Sequence, residues 1–444
     1  MAHGTEYSRV NRVLPVIGGV VLIAAAFALD LSVDKPGCPP WLNAILVVLG
    51  CAVLVTGIAA ARHRRLSAAL AKLSLAILSA VFAVTAAELG LRAVGFDFGR
   101  FKGPAKELPI YYRAPSVHAG EGILRRPGPA SWSGKPISAF VKVRWGGGSP
   151  YPDEQPIVVE YDALGFRNPA ALGDWEVVVT GDSFVEQGCF RYEDMFTSIA
   201  GKQLGVRIKN LGVSTTGPLS QIFYVRHYGK AASTKDAVLC FFEGNDLEDL
   251  DREIRATELF RRTGEIWRGE KQVSLVNALF SRRTAAASSK GIQPNAVATI
   301  GGVDRPMTVG IVPPTWRLLS QKKQLLVAAT MTNWARMTRG QGMRPWVMCI
   351  PDMHRVFHGH VRFADTNSAL AHWVPGDFAP HLAKICAELD VRFIDPFPAL
   401  RQEVEAGRVP YNLIADNHLS IEGSRVVASV LADALRPETS AAQP

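Results

Sequence analysis

Four short groups of polar residues in this chain have the residue types that acyl-transfer chemistry uses. A Gly-Asp-Ser turn ends at Ser183, an Asn-Leu-Gly step ends at Gly212, a Gly-Asn-Asp step contains Asn245, and an Asp-Asn-His run joins Asp416 to His418. A serine hydroxyl becomes a nucleophile when a hydrogen-bonded base removes its proton. Histidine suits that task because imidazole titrates near neutral pH, and an aspartate can accept from its other ring nitrogen.

Each of these residues has an ordinary explanation when it is taken alone. Gly-Asp-Ser is common turn chemistry, and Gly212 can be a turn glycine, Asn245 a turn former and His418 a surface histidine. Unrelated turns are not expected to place a nucleophile, amide donors and an Asp/His pair at one edge of a fold. The set therefore indicates chemistry where its single members do not.

Alternating strands and helices are predicted to bring the four groups together. The strand-like stretches are 157–161, 177–180, 206–210, 237–242, 346–350 and 391–394, and the helical ones are 193–204, 220–228, 379–389 and 421–435. Such alternation predicts parallel pairing with right-handed crossovers. We expect a three-layer α/β/α doubly wound sheet of about five parallel strands, flavodoxin-like in build, with ligands beyond the carboxyl ends of the strands.

The four groups, in this order, resemble the sequence blocks of the SGNH (GDSL-type) hydrolase superfamily. The resemblance spans roughly residues 157 to 436 and includes the Gly-Phe-Arg turn that ends at Arg167. It implies an enzyme, a carboxylic ester hydrolase or O-acyltransferase. Ser183 would be its nucleophile, His418 its general base and Asp416 the residue that orients the imidazole.

The resemblance also implies an oxyanion hole and a subfamily. The backbone N–H groups of Ser183 and Gly212 and the side-chain amide of Asn245 would form the hole. Many members of the superfamily have Asp-x-x-His, whereas one residue separates Asp416 from His418 here. The Asp-x-His spacing is similar to the spacing found in branches of the superfamily that act on polysaccharide acetyl groups.

Other polar residues give weaker indications. Arg167 could face an anionic substrate or form a structural salt bridge. His354 lies in a His354/His358/His360 group that resembles a metal site, but no acidic partner stands at helical or hairpin spacing. Substrate contact or simple exposure of His354 fits this pattern better, and we expect neither a metal nor another cofactor.

Three apolar stretches predict a membrane anchor at the N-terminus. They cover 13–29, 41–61 and 66–87, and each is long enough to cross, or nearly cross, a hydrocarbon core about 30 Å thick. The alternative for the first is a signal peptide cleaved at 26–28. Arginines before the first stretch and between the second and third favour a cytoplasmic position for those flanks. The C-terminal domain should then be extracytoplasmic, which in a bacterium means periplasmic on the inner membrane.

Composition agrees with a membrane-associated protein. The chain has 444 residues, 48% of them hydrophobic, and a net charge of +9. No long Lys/Arg run is interleaved with aromatic residues, so a solvated basic surface is favoured over nucleic-acid binding. The six cysteines show no CxxC pair or zinc-type spacing, and disulfides are neither indicated nor excluded.

These features predict four regions along the chain. Residues 1–92 are the anchor, 93–156 a stalk and packing arm, 157–436 the hydrolase-like domain with an insertion at 247–345, and 437–444 a disordered tail. The insertion could shape a binding groove or be a plain embellishment.

The leading functional hypothesis is a membrane-anchored serine esterase or O-acyltransferase. Its substrate would be an acyl group, with acetyl favoured, on a cell-envelope glycan, and its intermediate an acyl-serine. By resemblance, a membrane-bound acyltransferase would be a partner beside the lipid bilayer. The alternatives are a catalytically inactive glycan-binding or scaffold protein and a lipid or thioester hydrolase.

Overall fold

The computed structural model describes residues 108–145, 149–264, 266, 293–310 and 312–436, together with scattered positions between 16 and 83. The predicted membrane stretches, the 26–28 cleavage site and the tail 437–444 lie outside the described residues, apart from those scattered positions. Within the described ranges, no helix combines the length and apolarity that a bilayer crossing requires. The chain divides into two compact units, Met1–Gly103 with Glu270–Ala286, and Pro104–Gly269 with Ala287–Pro444. The four polar groups lie in the second unit.

The second unit alternates strands and helices through most of its length. In chain order its described strands are β1 (Val117–Gly120), β2 (Ile123–Arg125), β3 (Ala130–Gly134), β4 (Ile157–Tyr161), β5 (Val177–Gly181), β6 (Ile208–Gly212), β7 (Asp236–Phe242), β8 (Ala296–Ile300), β9 (Val303–Met307), β10 (Arg344–Ile350), β11 (Val361–Phe363) and β12 (Arg392–Ile394). Its described α-helices are α1 (Pro136–Trp145), α2 (Ser183–Glu186), α3 (Phe196–Leu204), α4 (Pro218–Tyr224), α5 (Asp246–Thr263), α6 (Gln321–Gly340), α7 (Met353–Val356), α8 (Phe378–Glu388), α9 (Phe397–Glu405) and α10 (Ile421–Leu435). A π-helical turn, Val225–Gly229, continues α4, and short 3-10 turns occupy Ile110–Tyr112, Tyr192–Asp194 and Trp316–Leu318.

Five parallel strands form the central sheet in the order β6–β5–β7–β10–β12. Numbered by their order in the chain, they lie 2-1-3-4-5, the flavodoxin-like arrangement. The predicted α/β fold with five parallel strands is therefore confirmed. The order reverses at β5, where one connection runs to β6 on one side and the next to β7 on the other. The end of β5 is thus the switch point of the sheet, where ligands of such folds bind.

Both faces of the sheet are covered because its strands are apolar on both sides. Val177 and Val179 of β5 face one core together with residues of α3, α9 and α10. Val178 faces the opposite core with residues of α4, α6 and α8. Strands buried on both faces read as continuous hydrophobic runs, which is why the Val177–Val179 run was recognisable in the sequence.

The predicted domain boundaries need two corrections. The boundary at 157 is wrong for the described residues, because β3 pairs with β4 in antiparallel register and residues from 104 onward belong to the same compact unit. The segment 108–134, here called the arm, is therefore part of the domain rather than a stalk. The predicted insertion at 247–345 is too long, because it includes α6. This helix connects to β10 and buries Trp334 in the core. An antiparallel sheet of β11, β8 and β9 is the added structure.

Candidate active site

The serine lies on a tight turn between β5 and α2. Asp182 caps α2, its carboxylate accepting from the Phe184 N–H at 2.9 Å, and Ser183 is the first helical residue. Gly181 permits the turn, because a Cβ atom there would come within 2.3 Å of the Val185 side chain. The hydroxyl of Ser183 is thereby presented at the carboxyl end of β5.

The loop before α10 brings His418 to this serine. Its Nε2 atom lies 2.8 Å from Ser183 Oγ, although the two residues are 235 positions apart in the chain. Its Nδ1 atom lies 2.6 Å from the backbone oxygen of Asp416 and 3.2 Å from the Asp416 carboxylate. The structure therefore brings the predicted serine, histidine and aspartate into one connected group.

The backbone around Asp416 explains how one intervening residue suffices. Ala415 and Asn417 both have left-handed φ angles, 72° and 55°. Asparagine tolerates this region, whereas alanine pays a steric cost of about 1–2 kcal/mol for it. The two reversals fold the loop so tightly that the Asp416 carbonyl and carboxylate both face the same imidazole nitrogen. Strained backbone of this kind concentrates at functional sites.

The charges around His418 favour its protonated form. Burial lowers the pKa of His418, but the carboxylates of Asp416 and Asp182 outweigh burial and raise it above its ordinary value. Burial alone would raise the pKa of Asp416, yet His418 and the hydrogen bonds from Tyr112 and Asn412 hold it below its ordinary value. Both directions describe a carboxylate that stabilises an imidazolium, as a general base requires.

The arm supplies two site residues that the sequence analysis missed. The Tyr112 hydroxyl donates to Asp416 Oδ1 at 2.8 Å, and the Tyr111 hydroxyl lies 2.9 Å from His418 Nε2. The Tyr112 ring stacks on Phe140, with ring centroids 3.9 Å apart. A Tyr-Tyr pair within an aperiodic segment was the one available signal, and nothing local tied it to residues about 300 positions away.

A buried ion pair fixes the arm to the helix that carries the serine. Arg126 Nε donates to Glu186 Oε1 at 2.9 Å, and both side chains are at most 1% exposed. Glu186 also accepts from the Tyr161 hydroxyl and the Ser214 N–H. Arg126 Nη2 donates to the Tyr111 carbonyl oxygen at 2.7 Å. The guanidinium therefore joins the end of α2 to the backbone of the arm.

The structure contradicts the predicted role of one oxyanion donor. The Gly212 N–H donates to the Asn210 side chain at 2.8 Å, so this hydrogen is already used. Gly212 is a packing glycine instead, because a Cβ atom there would meet the Glu186 nitrogen at 2.3 Å. The Asn245 amide group donates to Asp249 at 3.0 Å. The roles of the Ser183 N–H and of Asn245 as oxyanion donors stay predictions.

Neither weakly predicted substrate contact lines the cavity beside Ser183. The Arg167 guanidinium is buried and donates to the carbonyl oxygens of Gln187 and Phe190, so it holds the loop after α2. His354 is 2% exposed and packs against Trp373 with ring centroids 4.6 Å apart. Burial lowers the pKa of His354 to about 4, which makes it a neutral core side chain near pH 7.

The cavity beside the serine is small and mostly apolar. Its volume is about 10 Å³. Its lining residues are Tyr111, Ser183, Phe184, Gln187, Gly188, Cys189, Phe190, Asp416, His418 and Leu419. The Ser183 hydroxyl therefore faces a confined space that the arm helps to enclose.

Comparisons with known proteins find similarity at low identity to solved structures of esterases and lipases. No family model and no curated protein matches the chain. Among solved structures, it is similar to a lipolytic protein of the G-D-S-L family from Desulfitobacterium hafniense, at 12% identity over 59% of this chain and 99% of that chain, with a TM-score of 0.31. It is similar to an acetylxylan esterase from Geobacillus stearothermophilus, at 10% identity over 60% and 95% of the two chains, with a TM-score of 0.31. It is also similar to an extracellular lipase from Streptomyces rimosus, at 13% identity over 58% and 99%, with a TM-score of 0.32.

These identities and TM-scores are too low to say what the chain acts on. The chain's own residues carry the resemblance to the SGNH superfamily. The four sequence blocks occur in the expected order, and the first and last of them are in contact at the switch point of the sheet. By this combination of blocks and fold, the chain resembles the SGNH (GDSL-type) hydrolase superfamily.

Proposed function

We propose that the chain is a serine esterase or O-acyltransferase that works through an acyl-serine intermediate. The contact of 2.8 Å between His418 Nε2 and Ser183 Oγ is the observation that carries this proposal. It lies within the distance that proton transfer to a general base requires. The Asp416 oxygens on the opposite ring nitrogen supply the orienting partner.

The reaction would proceed in two half-steps. Ser183 Oγ gives its proton to His418 Nε2 as it attacks the carbonyl carbon of the acyl group. His418 then returns that proton to the departing alkoxide, and the acyl group stays on the serine. In the second half-step, water or a sugar hydroxyl gives its proton to Nε2 and attacks the same carbonyl carbon, which releases Ser183. Asp416 stabilises the imidazolium in both half-steps.

The cavity favours a short acyl group. It is a small cavity, bounded by Phe184, Phe190, Leu419 and the Tyr111 ring. A long fatty-acyl chain would need a longer apolar channel than this cavity provides. Short-chain esters should therefore be the preferred donors.

The acceptor and the location are proposals from the sequence. The apolar N-terminal stretches support anchoring in a bacterial inner membrane with an extracytoplasmic domain. A tethered enzyme of this chemistry suits a polymer of the cell envelope, so we propose a glycan as substrate. A membrane-bound acyltransferase that delivers the acetyl group would be the partner. Protease added to the outer face should then cut the chain beyond residue 95, and protection there would reverse this orientation.

Fluorophosphonate labelling tests the nucleophile. The chain, solubilised in detergent, should be labelled, and the Ser183→Ala variant should not. Loss of labelling in His418→Gln, with the fold intact by circular dichroism, would show that the base activates the serine. Equal labelling of the parent chain and Ser183→Ala would end the proposal. Mass spectrometry of products formed with a glycan acceptor would then separate transfer from hydrolysis.

A further inference from the structure

Two hydroxyl groups compete for one nitrogen of His418. Ser183 Oγ lies 2.8 Å and the Tyr111 hydroxyl 2.9 Å from the same Nε2 atom. When Nδ1 carries the proton that faces Asp416, Nε2 has one lone pair and accepts one good hydrogen bond. Ser183 has a second acceptor, since its hydroxyl also reaches the Asp182 carboxylate at 3.2 Å. Because Ser183 can donate to Asp182 instead, the Tyr111 hydroxyl can donate to Nε2 and occupy the space beside it.

The Tyr111 side chain is fixed in this place from several directions. It is 3% exposed, and its ring meets the Tyr112 ring edge-on at 4.7 Å. A Cβ atom on Gly188 would lie 2.2 Å from the Tyr111 Cβ, so the absence of a side chain at position 188 is what admits the tyrosine. Its backbone is held by Arg126. These contacts together hold the Tyr111 hydroxyl beside Nε2.

This location matters most in the second half-step. Ser183 Oγ is then esterified, and the attacking hydroxyl must lie about 2.6–3.2 Å from Nε2 to give up its proton. The Tyr111 hydroxyl, 2.9 Å from Nε2, occupies a position that meets this condition.

We propose that Tyr111 guards the acceptor position of the site and keeps water away from His418. This inference rests on the proposed acyl-serine function. A water molecule has too few contacts to displace a clamped tyrosine, whereas a carbohydrate that binds along the site brings the interactions to do so. Its hydroxyl oxygen then attacks the acyl carbon while its proton passes to Nε2. The acyl–oxygen bond to Ser183 breaks, and Ser183 recovers the proton. Tyr111 thus makes the acyl-serine resistant to hydrolysis and specifies transfer to a larger alcohol.

The lifetime of the acyl-serine tests this role with p-nitrophenyl acetate and water alone. Tyr111→Phe keeps the ring and removes only the hydroxyl, which leaves Nε2 free to accept a hydrogen bond from a water molecule in the cavity. We expect hydrolysis of the acetyl-serine to become at least about fivefold faster, the equivalent of about 1 kcal/mol. The rate of the initial p-nitrophenol burst, which reports acylation, should change much less. Gly188→Ala, which pushes Tyr111 aside but retains its hydroxyl, should change the lifetime in the same direction.

Tyr112→Phe is the matched control. Tyr112 touches Asp416 and not Nε2, so its loss should slow acylation and deacylation together and leave their ratio unchanged. An acetyl-serine lifetime that is unchanged or longer in Tyr111→Phe would overturn the inference, because it would make Tyr111 neutral or an aid to proton transfer. Absence of any acetyl adduct on Ser183 by mass spectrometry, in every variant, would overturn the proposed function instead.

Discussion

The edge of the central sheet and the arm contribute to the site in different ways. The sheet edge carries the groups that would exchange protons and bonds with substrate, Ser183 and His418, on turns that follow or precede regular elements. The arm carries groups that hold these residues or enclose them, Tyr111, Tyr112 and Arg126, on a segment of short strands and turns.

The groups proposed to react and the groups that position them therefore come from different parts of the fold, the sheet edge and the arm. The central sheet is built from strands that are apolar on both faces. Only the docked arm gives Asp416 its tyrosine donor and closes the cavity. Variants of the sheet edge should therefore abolish activity with little loss of stability, and variants of the arm should affect both.

Asp416→Asn should have the largest effect on activity among the orienting residues. We expect kcat/KM for p-nitrophenyl acetate to fall about 10³-fold, somewhat less than the about 10⁴-fold loss typical of a triad aspartate. The reason is the Asp416 backbone oxygen, which would still hold the Nδ1 proton at 2.6 Å. Asp304→Asn, in an exposed ion pair, is the control. A loss below tenfold would mean that the carboxylate does not support His418.

The pH profile of Asp416→Asn tests whether His418 is the group whose titration controls activity. The Asp416 and Asp182 carboxylates raise the pKa of His418 above its ordinary 6.5. A general base must be neutral, so kcat/KM of the parent chain should rise with pH through a pKa above that value. Removing the Asp416 charge should move this acidic limb to lower pH while lowering the plateau. An unmoved limb would assign the titration to another group.

Arg126→Met should have the largest effect on stability. It leaves the Glu186 carboxylate buried without its ionic partner, and breaking such a pair costs about 3–5 kcal/mol of unfolding free energy. Urea denaturation followed by tryptophan fluorescence measures this change. Arg362→Met breaks the ion pair with Asp304, in which both side chains are more than half exposed. It should lower the unfolding free energy by at most about 1 kcal/mol. Equal losses in the two variants would contradict the clamping role of Arg126.

Tyr112→Phe should have an intermediate effect on activity. The variant removes a hydrogen bond to a charged carboxylate, an interaction of about 1.5–3 kcal/mol, and so should lower kcat at least about tenfold. Steady-state kinetics with p-nitrophenyl acetate measures it. Tyr228→Phe, which changes a tyrosine of the core on one face of the sheet, should leave kcat unchanged. The idea that the arm supports Asp416 would not survive a wild-type kcat in Tyr112→Phe.

His354→Phe should have the smallest effect. The His354 ring is buried among Trp373 and Phe363, and its Nδ1 atom has no hydrogen-bond partner. Phenylalanine preserves the ring contacts and removes the unsatisfied nitrogen, so we expect an unchanged or slightly raised melting temperature and activity within about twofold of the parent. A tenfold rise in KM would restore His354 as a substrate contact.

The fold and the contact between Ser183 and His418 could be predicted because their signals are local. Strands buried on both faces form apolar runs, and the predicted bounds of β4 and α10 match the structure, 157–161 and 421–435. Ser183 and His418 lie on turns next to such elements, so their approach follows from the parallel topology. The same reasoning could not find Tyr111, because its partner is 307 positions away and the arm has no periodicity.

Two errors in the site have the same physical origin. Gly212 was assigned a donor role, but whether its N–H is free depends on the Asn210 side chain, which folds back two residues. Arg167 was assigned to substrate or a salt bridge, whereas it satisfies two carbonyl oxygens inside the domain. In both cases the competing partner is a polar group whose orientation becomes known only when the chain is folded.

Gly188 allows the arrangement of Tyr111 beside His418 to be recognised in sequences of unknown structure. A glycine five residues beyond the reactive serine is what admits the tyrosine. A chain with that glycine and a Tyr-Tyr pair well upstream of its Gly-Asp-Ser block should share the guarded acceptor position. A chain with a bulkier residue there should have an open one and release its acyl group to solvent.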